Sequence, residues 1–212
     1  IFAALFFSSF LWAAPNIWVV IALFVYTALT AVGFRDDWLK VVRKNRHGIS
    51  SREKIFWQTL VTIIALAVLL WHPASTDKIR ELWVPFVKYP VLTFSGLLGL
   101  PALFVFIYLW LVGFSNAINL TDGLDGLAAG SALMGFGAFM IIAYWSFRNP
   151  EVYGAVVNPL DMGVLAAGFA GACLGFLWWN AAPARIFMGD VGALAIGAAL
   201  AFLALTLNTH LL

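Results

Sequence analysis

Two adjacent carboxylates, Asp36 and Asp37, stand where the apolar stretch from Trp18 to Phe34 meets the most basic segment of the chain, GFRDDWLKVVRKNRHG. Adjacent carboxylates repel, and a charged pair at a membrane edge is costly to hold, so its presence points to a general base or a shared metal site. Lys40 follows one helical turn later and Lys44 one turn after that, a spacing that places both on the face of the pair, where they can receive phosphate. A second segment, GFSNAINLTDGLDGLAAG, spaces Asn116, Asn119, Asp122 and Asp125 three apart. As a helix it puts all four on roughly one face, able to accept from hydroxyl or base N–H groups and to ligate a hard cation through oxygen. A third, NAAPARIFMGDVGALAIG, sets Asp190 between Gly189 and Gly192. There Asn180 and Arg185 can hydrogen-bond, Phe187 can stack on a planar ring, and Asp190 can hold Mg²⁺ while substrate phosphates supply further ligands. Each segment alone has a plainer reading: DG and NLTDG are turn or cap signals, an Asp before an apolar run caps a helix, and Lys and Arg touch lipid headgroups routinely.

The elements that must position these groups follow from composition. Of 212 residues, 63% are hydrophobic and 10% charged, and the mean hydropathy is +0.96. Such a chain is an integral membrane protein, and its apolar runs are long enough for helices that cross a hydrocarbon core of about 30 Å. The expected class is all-α, a polytopic transmembrane helical bundle. A partial span covers Ile1 to Ala14; six complete spans cover Ile17 to Phe34, Ile55 to Trp71, Val91 to Phe114, Leu127 to Phe147, Met162 to Trp179 and Val191 to Thr209. With no linker or soluble insertion, residues 1–212 read as a single membrane domain. Cys173 is alone and sits in an apolar span, which excludes an internal disulfide.

Arg35, Lys40, Arg43, Lys44, Arg46, Arg52 and Lys54 concentrate in one loop, which the positive-inside rule makes cytoplasmic. Alternating the spans from there brings Asp36, Asp37, Asp122, Asp125 and Asp190 to that same face. Asp77, Glu81, Glu151 and Asp161 fall on the other. The carboxylates and lysines together ask for a phosphate-bearing substrate handled with Mg²⁺ at the inner membrane surface, with a second substrate arriving from the lipid. Nucleic acid is not an expected partner.

The runs GFRDDWLKVVRKNRHG, SNAINLTDGLDGLAAG and NAAPARIFMGDVG resemble, in this order, the bacterial phospho-N-acetylmuramoyl-pentapeptide transferase family, translocase I of peptidoglycan synthesis, within the polyprenyl-phosphate N-acetylhexosamine-1-phosphate transferase superfamily. The resemblance implies transfer of phospho-MurNAc-pentapeptide from UDP-MurNAc-pentapeptide to undecaprenyl phosphate, giving lipid I and UMP, with Mg²⁺ required, at the cytoplasmic face of the bacterial plasma membrane. It implies that Asp190 binds Mg²⁺ and that Asp36 and Asp37 lie at the reacting phosphates, one of them deprotonating the lipid phosphate before its oxygen attacks the β-phosphorus. Lys40 and Lys44 are then phosphate ligands, and Asn119, Asp122, Asp125, Asn180 and Phe187 shape the nucleotide and pyrophosphate pocket. One displacement and a path through an enzyme intermediate are both left open.

Ala193 departs from the Ser that relatives often carry. The family's His-rich loop lies beyond Leu212 and its early Lys- and Thr-bearing loop before Ile1, so the chain reads as a piece of a longer transferase, weakly active or inactive alone. His47, His72 and His210 do not replace the missing motif and read as surface or interface residues. Two other functions are carried alongside: a UDP-GlcNAc or UDP-GalNAc polyprenyl-phosphate transferase, and an anionic-lipid transporter, which would place ionisable groups at mid-membrane where this sequence has none. Small-residue stretches such as Ala167 to Gly175, with Gly171 and Gly175 four apart, suit a scaffold partner or a homodimer, although ordinary packing within one bundle is expected. A cysteine placed beside Asp122 is expected to be labelled by an impermeant thiol reagent only from the cytoplasmic side; labelling only from the periplasm would end the convergence of the three segments.

Overall fold

The computed structural model describes residues 1–45, 47–73, 77–84, 87, 89–150 and 158–209. Seven α-helices occur among them: α1 (Phe2–Trp12), α2 (Ile17–Val41), α3 (Ser51–Trp71), α4 (Gly99–Thr121), α5 (Leu127–Arg148), α6 (Pro159–Asn180) and α7 (Gly189–Thr206). All but α1 are long and apolar enough to cross a membrane, so the chain is a multi-pass helical membrane protein. Between α3 and α4 a small antiparallel hairpin, β1 (Glu81–Leu82) with β2 (Leu92–Thr93), is the one departure from the helical pattern among the described residues.

Helix boundaries have local causes. Asn16 caps α2 by accepting from the Trp18 and Val19 N–H groups, and its amide donates to Asp161 at 2.8 Å. Asp161, in the first turn of α6, also accepts the Ala14 N–H, so one carboxylate straps the α1–α2 turn to α6. Ser50 caps α3 through the Glu53 N–H in a Ser-x-x-Glu sequence. That cap starts α3 four residues before the expected Ile55. The expected Val91–Phe114 span likewise moves to Gly99–Thr121, because Leu92 and Thr93 pair as a strand and Pro101 favours the first helical turn. At 25 residues α2 is about 38 Å long, well beyond the apolar core. Its last two turns carry Asp36, Asp37 and Lys40, which therefore belong to the helix and not to a loop.

The bundle is organised around α7, in which every residue from Ala193 to Thr206 is buried. Its Gly- and Ala-rich sequence lets α2 and α4 approach closely on two sides, with α5 and α6 touching further round. A Cβ on Gly33 of α2 would collide with the Asp190 carbonyl, and one on Gly197 of α7 with the Phe114 carbonyl of α4. Outside this centre α5 packs on α6, α1 on α6, and α3 on α2 and α4. Phe136 stacks on Phe169 at 4.7 Å, and Tyr26 meets Phe169 edge-on at 5.0 Å, joining α5, α6 and α2. Of the small residues on α6, Gly168 packs against Ser8 of α1, whereas a Cβ added at Gly171 or Gly175 would meet open space among the described residues. Cys173 is buried and free. Glu151 and His210 lie outside the described residues.

Gly33→Val is expected to push α2 off the first turn of α7 and to lower stability by about 1–3 kcal/mol or more, as overpacked core sites do. Thermal unfolding in detergent measures this, with Gly113→Val, where a Cβ meets open space, as the neutral comparison.

Candidate active site

The end of α2 carries the first cluster. Asp36 is buried; its Oδ1 accepts the Ile49 N–H at 2.8 Å and its Oδ2 is ion-paired with Lys40, four residues on. The segment after α2 folds back to provide that N–H. Gly48, at φ +61°, makes the return, since any Cβ there would strike the Asp36 carboxylate and the left-handed conformation disfavours other residues. Helix α2 stops at Val41, and Lys44, at φ +53°, is exposed beyond it. The expectation that Lys44 continues the face of Asp36, Asp37 and Lys40 is therefore corrected: chain reversal removes it from that face.

The N-terminus of α7 meets this cluster. Asp37 Oδ2 accepts the Val191 N–H at 3.0 Å, and the Asp122 carboxylate stands just past the end of α4, near the Gly189 N–H. Gly189 has φ +65°, and a Cβ on it would lie 2.6 Å from Asp37 Oδ2. Asp190 itself makes no capping bond. Its carboxylate instead reaches Lys54 Nζ at 2.7 Å and Lys40 Nζ at 3.5 Å. Burial pushes the Asp122 carboxyl above the usual carboxylate range; the Gly189 N–H opposes this, and the charges of Asp190 and Asp37 add to it.

Asp36, Asp37 and Asp190 thus present oxygens that all lie within 4.8 Å of one another. Three carboxylates against two ammonium groups leave negative charge to be neutralised, and a set of hard oxygen donors suits a divalent cation. The donor set therefore fits a metal ion. Beside it, a cavity of about 370 Å³ is lined by Asp36, Lys40, His47, Lys54, Tyr108 and Asn116. An apolar groove between α2 and α3, with Ala28, Val32, Trp57 and Val61 in its walls, shares Ile49 with this cavity.

The other expected site residues have separate placements. Asn119 is half-buried on α4, one turn before Asp122. Because α4 ends at Thr121, Asp125 leaves the shared face and accepts the Ala184 N–H at 2.9 Å, tying the α4–α5 and α6–α7 connections together. Asn180 is buried and spends both polar ends on the same join, accepting from the Gly126 N–H at 3.1 Å and donating to the Ile186 carbonyl at 2.9 Å. Phe187 is 73% exposed, open to a stacking partner. Lys54, which the charge count assigned only to topology, is the residue missed; the Ser50-x-x-Glu53 cap was the signal that puts it on a helix.

The family model described as glycosyl transferase family 4 matches residues 18–208, which hold every group named above. The chain belongs to glycosyl transferase family 4. Among its curated relatives, the phospho-N-acetylmuramoyl-pentapeptide-transferase of Opitutus terrae is 52% identical, over 100% of this chain and 57% of that protein. The proteins of the same name from Neisseria gonorrhoeae and Corynebacterium urealyticum are 43% and 40% identical, over 89% and 92% of this chain and 52% and 56% of theirs. This family 4 chain therefore spans little more than half the length of the relatives it matches.

Replacing Lys54 removes the ammonium closest to Asp190 and leaves a largely buried carboxylate without it. Lys54→Met is expected to cost about 3–5 kcal/mol in metal-free buffer. Thermal unfolding with and without Mn²⁺ checks this: the cation should restore more stability to the variant than it adds to the unaltered protein.

Proposed function

We propose that the protein of which this chain forms part transfers phospho-MurNAc-pentapeptide from UDP-MurNAc-pentapeptide to undecaprenyl phosphate, yielding lipid I and UMP. The observation that carries the reading is the meeting of Asp36, Asp37 and Asp190 with Lys40 and Lys54 at the basic end of a membrane bundle. The names of relatives up to 52% identical supply the transferred group, phospho-N-acetylmuramoyl-pentapeptide, and the motif resemblance supplies its UDP carrier and the polyprenyl-phosphate acceptor. The basic end faces the cytoplasm of a bacterial cell, and residues 1–212 act as one membrane domain of the transferase.

The acceptor is a phosphate on a lipid, and the polar cavity borders apolar surface at Ile49, so a lipid-borne phosphate can reach the lysines while its chain stays in the bilayer. Asp36 or Asp37 takes the proton of that phosphate. Its oxygen then bonds to the β-phosphorus of the donor, the bond from that phosphorus to the bridging oxygen breaks, and UMP leaves with the bridging oxygen. Lys40 and Lys54 offset the charge of the phosphates. Asp190 with the Asp36–Asp37 pair would hold Mg²⁺, which would supply neutralising charge for the pyrophosphate. Asn119, Asp122 and Phe187 face the nucleotide, while Asn180 and Asp125 hold the connections that present Phe187 and Asp190.

UMP release by the full-length protein tests this, with undecaprenyl phosphate and Mg²⁺ present and UDP-MurNAc-pentapeptide compared with UDP-GlcNAc. Release from the muramoyl donor alone is expected, and Asp190→Asn should lower kcat at least about 100-fold. Release only from UDP-GlcNAc would transfer the protein to that branch, and full Mg²⁺-dependent turnover by Asp190→Asn would remove the metal assignment.

A further inference from the structure

The helices that deliver Lys54, Asn119 and Asp190 are joined one turn deeper in the membrane by a polar rung. Gln58 of α3 is 2% exposed, and its Nε2 donates to Ser115 Oγ of α4 at 3.2 Å. That hydroxyl donates in turn to the Leu194 carbonyl of α7 at 2.9 Å. The other end of the same amide, Gln58 Oε1, accepts from Asn116 Nδ2 at 3.2 Å, and Asn116 also donates to the Val112 carbonyl of its own helix. Ser115 is fully buried, and both polar ends of the Gln58 amide and the Ser115 hydroxyl are hydrogen-bonded within the rung or to the Leu194 backbone.

The register of these bonds is informative. Gln58 follows Lys54 by four residues, Leu194 follows Asp190 by four, and Ser115 and Asn116 precede Asn119 by four and three. Residues so spaced lie on one helical face. Each partner in the rung therefore sits directly beneath a site residue of its own helix. A carboxamide buried among membrane-spanning helices is costly unless it is bonded, and an apolar side chain would fill the space without that cost. The Lys54–Asp190 pair above it cannot set helix spacing by itself, because an ammonium on a flexible four-carbon stem follows its partner over a range of separations. An amide bonded to two side chains, one of which bonds the backbone of a third helix, admits far fewer arrangements.

We propose that Gln58 and Ser115 are positioning residues for the carboxylate centre. Their rung fixes the spacing and rotation of α3, α4 and α7, so that the Lys54 ammonium meets Asp190 and the Asp190 oxygens converge on those of Asp36 and Asp37. Helix α2, which brings that pair, is keyed separately against α7 at Gly33. The proposal rests on the carboxylate cluster being the cation-binding centre of the transferase.

The test uses the full-length protein in detergent, titrated with Mn²⁺ and followed by electron paramagnetic resonance, with UMP release and thermal unfolding measured in parallel. Gln58→Leu and Ser115→Ala should each weaken Mn²⁺ binding about tenfold, as loss of a supporting hydrogen bond does at metal sites, and should lower kcat more than they raise KM for the donor. Leu66→Ala, a buried change two turns deeper on α3 and away from the rung, should lower stability at least as much without altering Mn²⁺ affinity. Mn²⁺ affinity within twofold of the unaltered protein in both rung variants would overturn the proposal, as would equal weakening by Leu66→Ala. Were the Mn²⁺ results as expected while the unaltered protein released no UMP from the muramoyl donor, the rung would stand and the transferase reading would fall.

Discussion

Everything at the basic end of the bundle depends on who satisfies the first N–H groups of α7. A helix begins with donors that its own backbone cannot pair, and the usual remedy is a side chain just before or within the first turn. Asp190 is placed for that task and does not perform it. Asp37 from α2 takes the Val191 N–H, and Asp122, just past the end of α4, stands near the Gly189 N–H, so that two carboxylates lie at the positive end of the helix dipole. Spared from capping, Asp190 turns toward Lys54. The extra length of α2, the left-handed Gly189 and the bare surface of Gly33 are all conditions for this exchange of roles.

The same exchange explains why the cluster combines firmness with chemical availability. Asp36 is fixed by the Ile49 N–H and Lys40, and Asp37 by the N-terminus of α7, so two adjacent charges that repel are each held by a different partner. Asp190 is held by ammonium groups on flexible stems, which a cation or a phosphate can displace without unmaking any backbone bond. Rigid support therefore lies on the backbone side of the carboxylates and mobile support on the open side.

The helical class and the meeting of Asp36, Asp37 and Asp190 were legible in the sequence because each depends on a one-dimensional signal: long apolar runs, a charge-dense loop, and acids at span ends. What escaped depends on local boundaries. Lys44 was placed by extending a helix three residues past its end at Val41, and Asp125 by extending another past Thr121. Lys54 was passed over because the apolar run starts at Ile55, although the Ser50 cap begins the helix earlier. Asn180 has the polarity of a binding residue, and no pattern in the chain reveals that Gly126 and Ile186 already occupy both ends of its amide. Gln58 is one polar residue in an apolar helix, and nothing in the one-dimensional pattern shows that Ser115 and Asn116 on another helix bond both ends of its amide.

A helix that is apolar all the way round has no preferred face, and hydrophobicity alone would let α7 turn freely about its axis. Beside the rung, two notches on different sides limit its azimuth: Gly33, where α2 lies against the Asp190 backbone, and Gly197, where α7 admits the Phe114 carbonyl of α4. The helix behaves as a keyed shaft. Each residue of slippage would swing the Asp190 carboxylate by about 100° around that axis, away from both Asp36 and Lys54. The angular setting of the acidic centre thus depends in part on a glycine seven residues further along, deep in the bundle, that touches none of its groups.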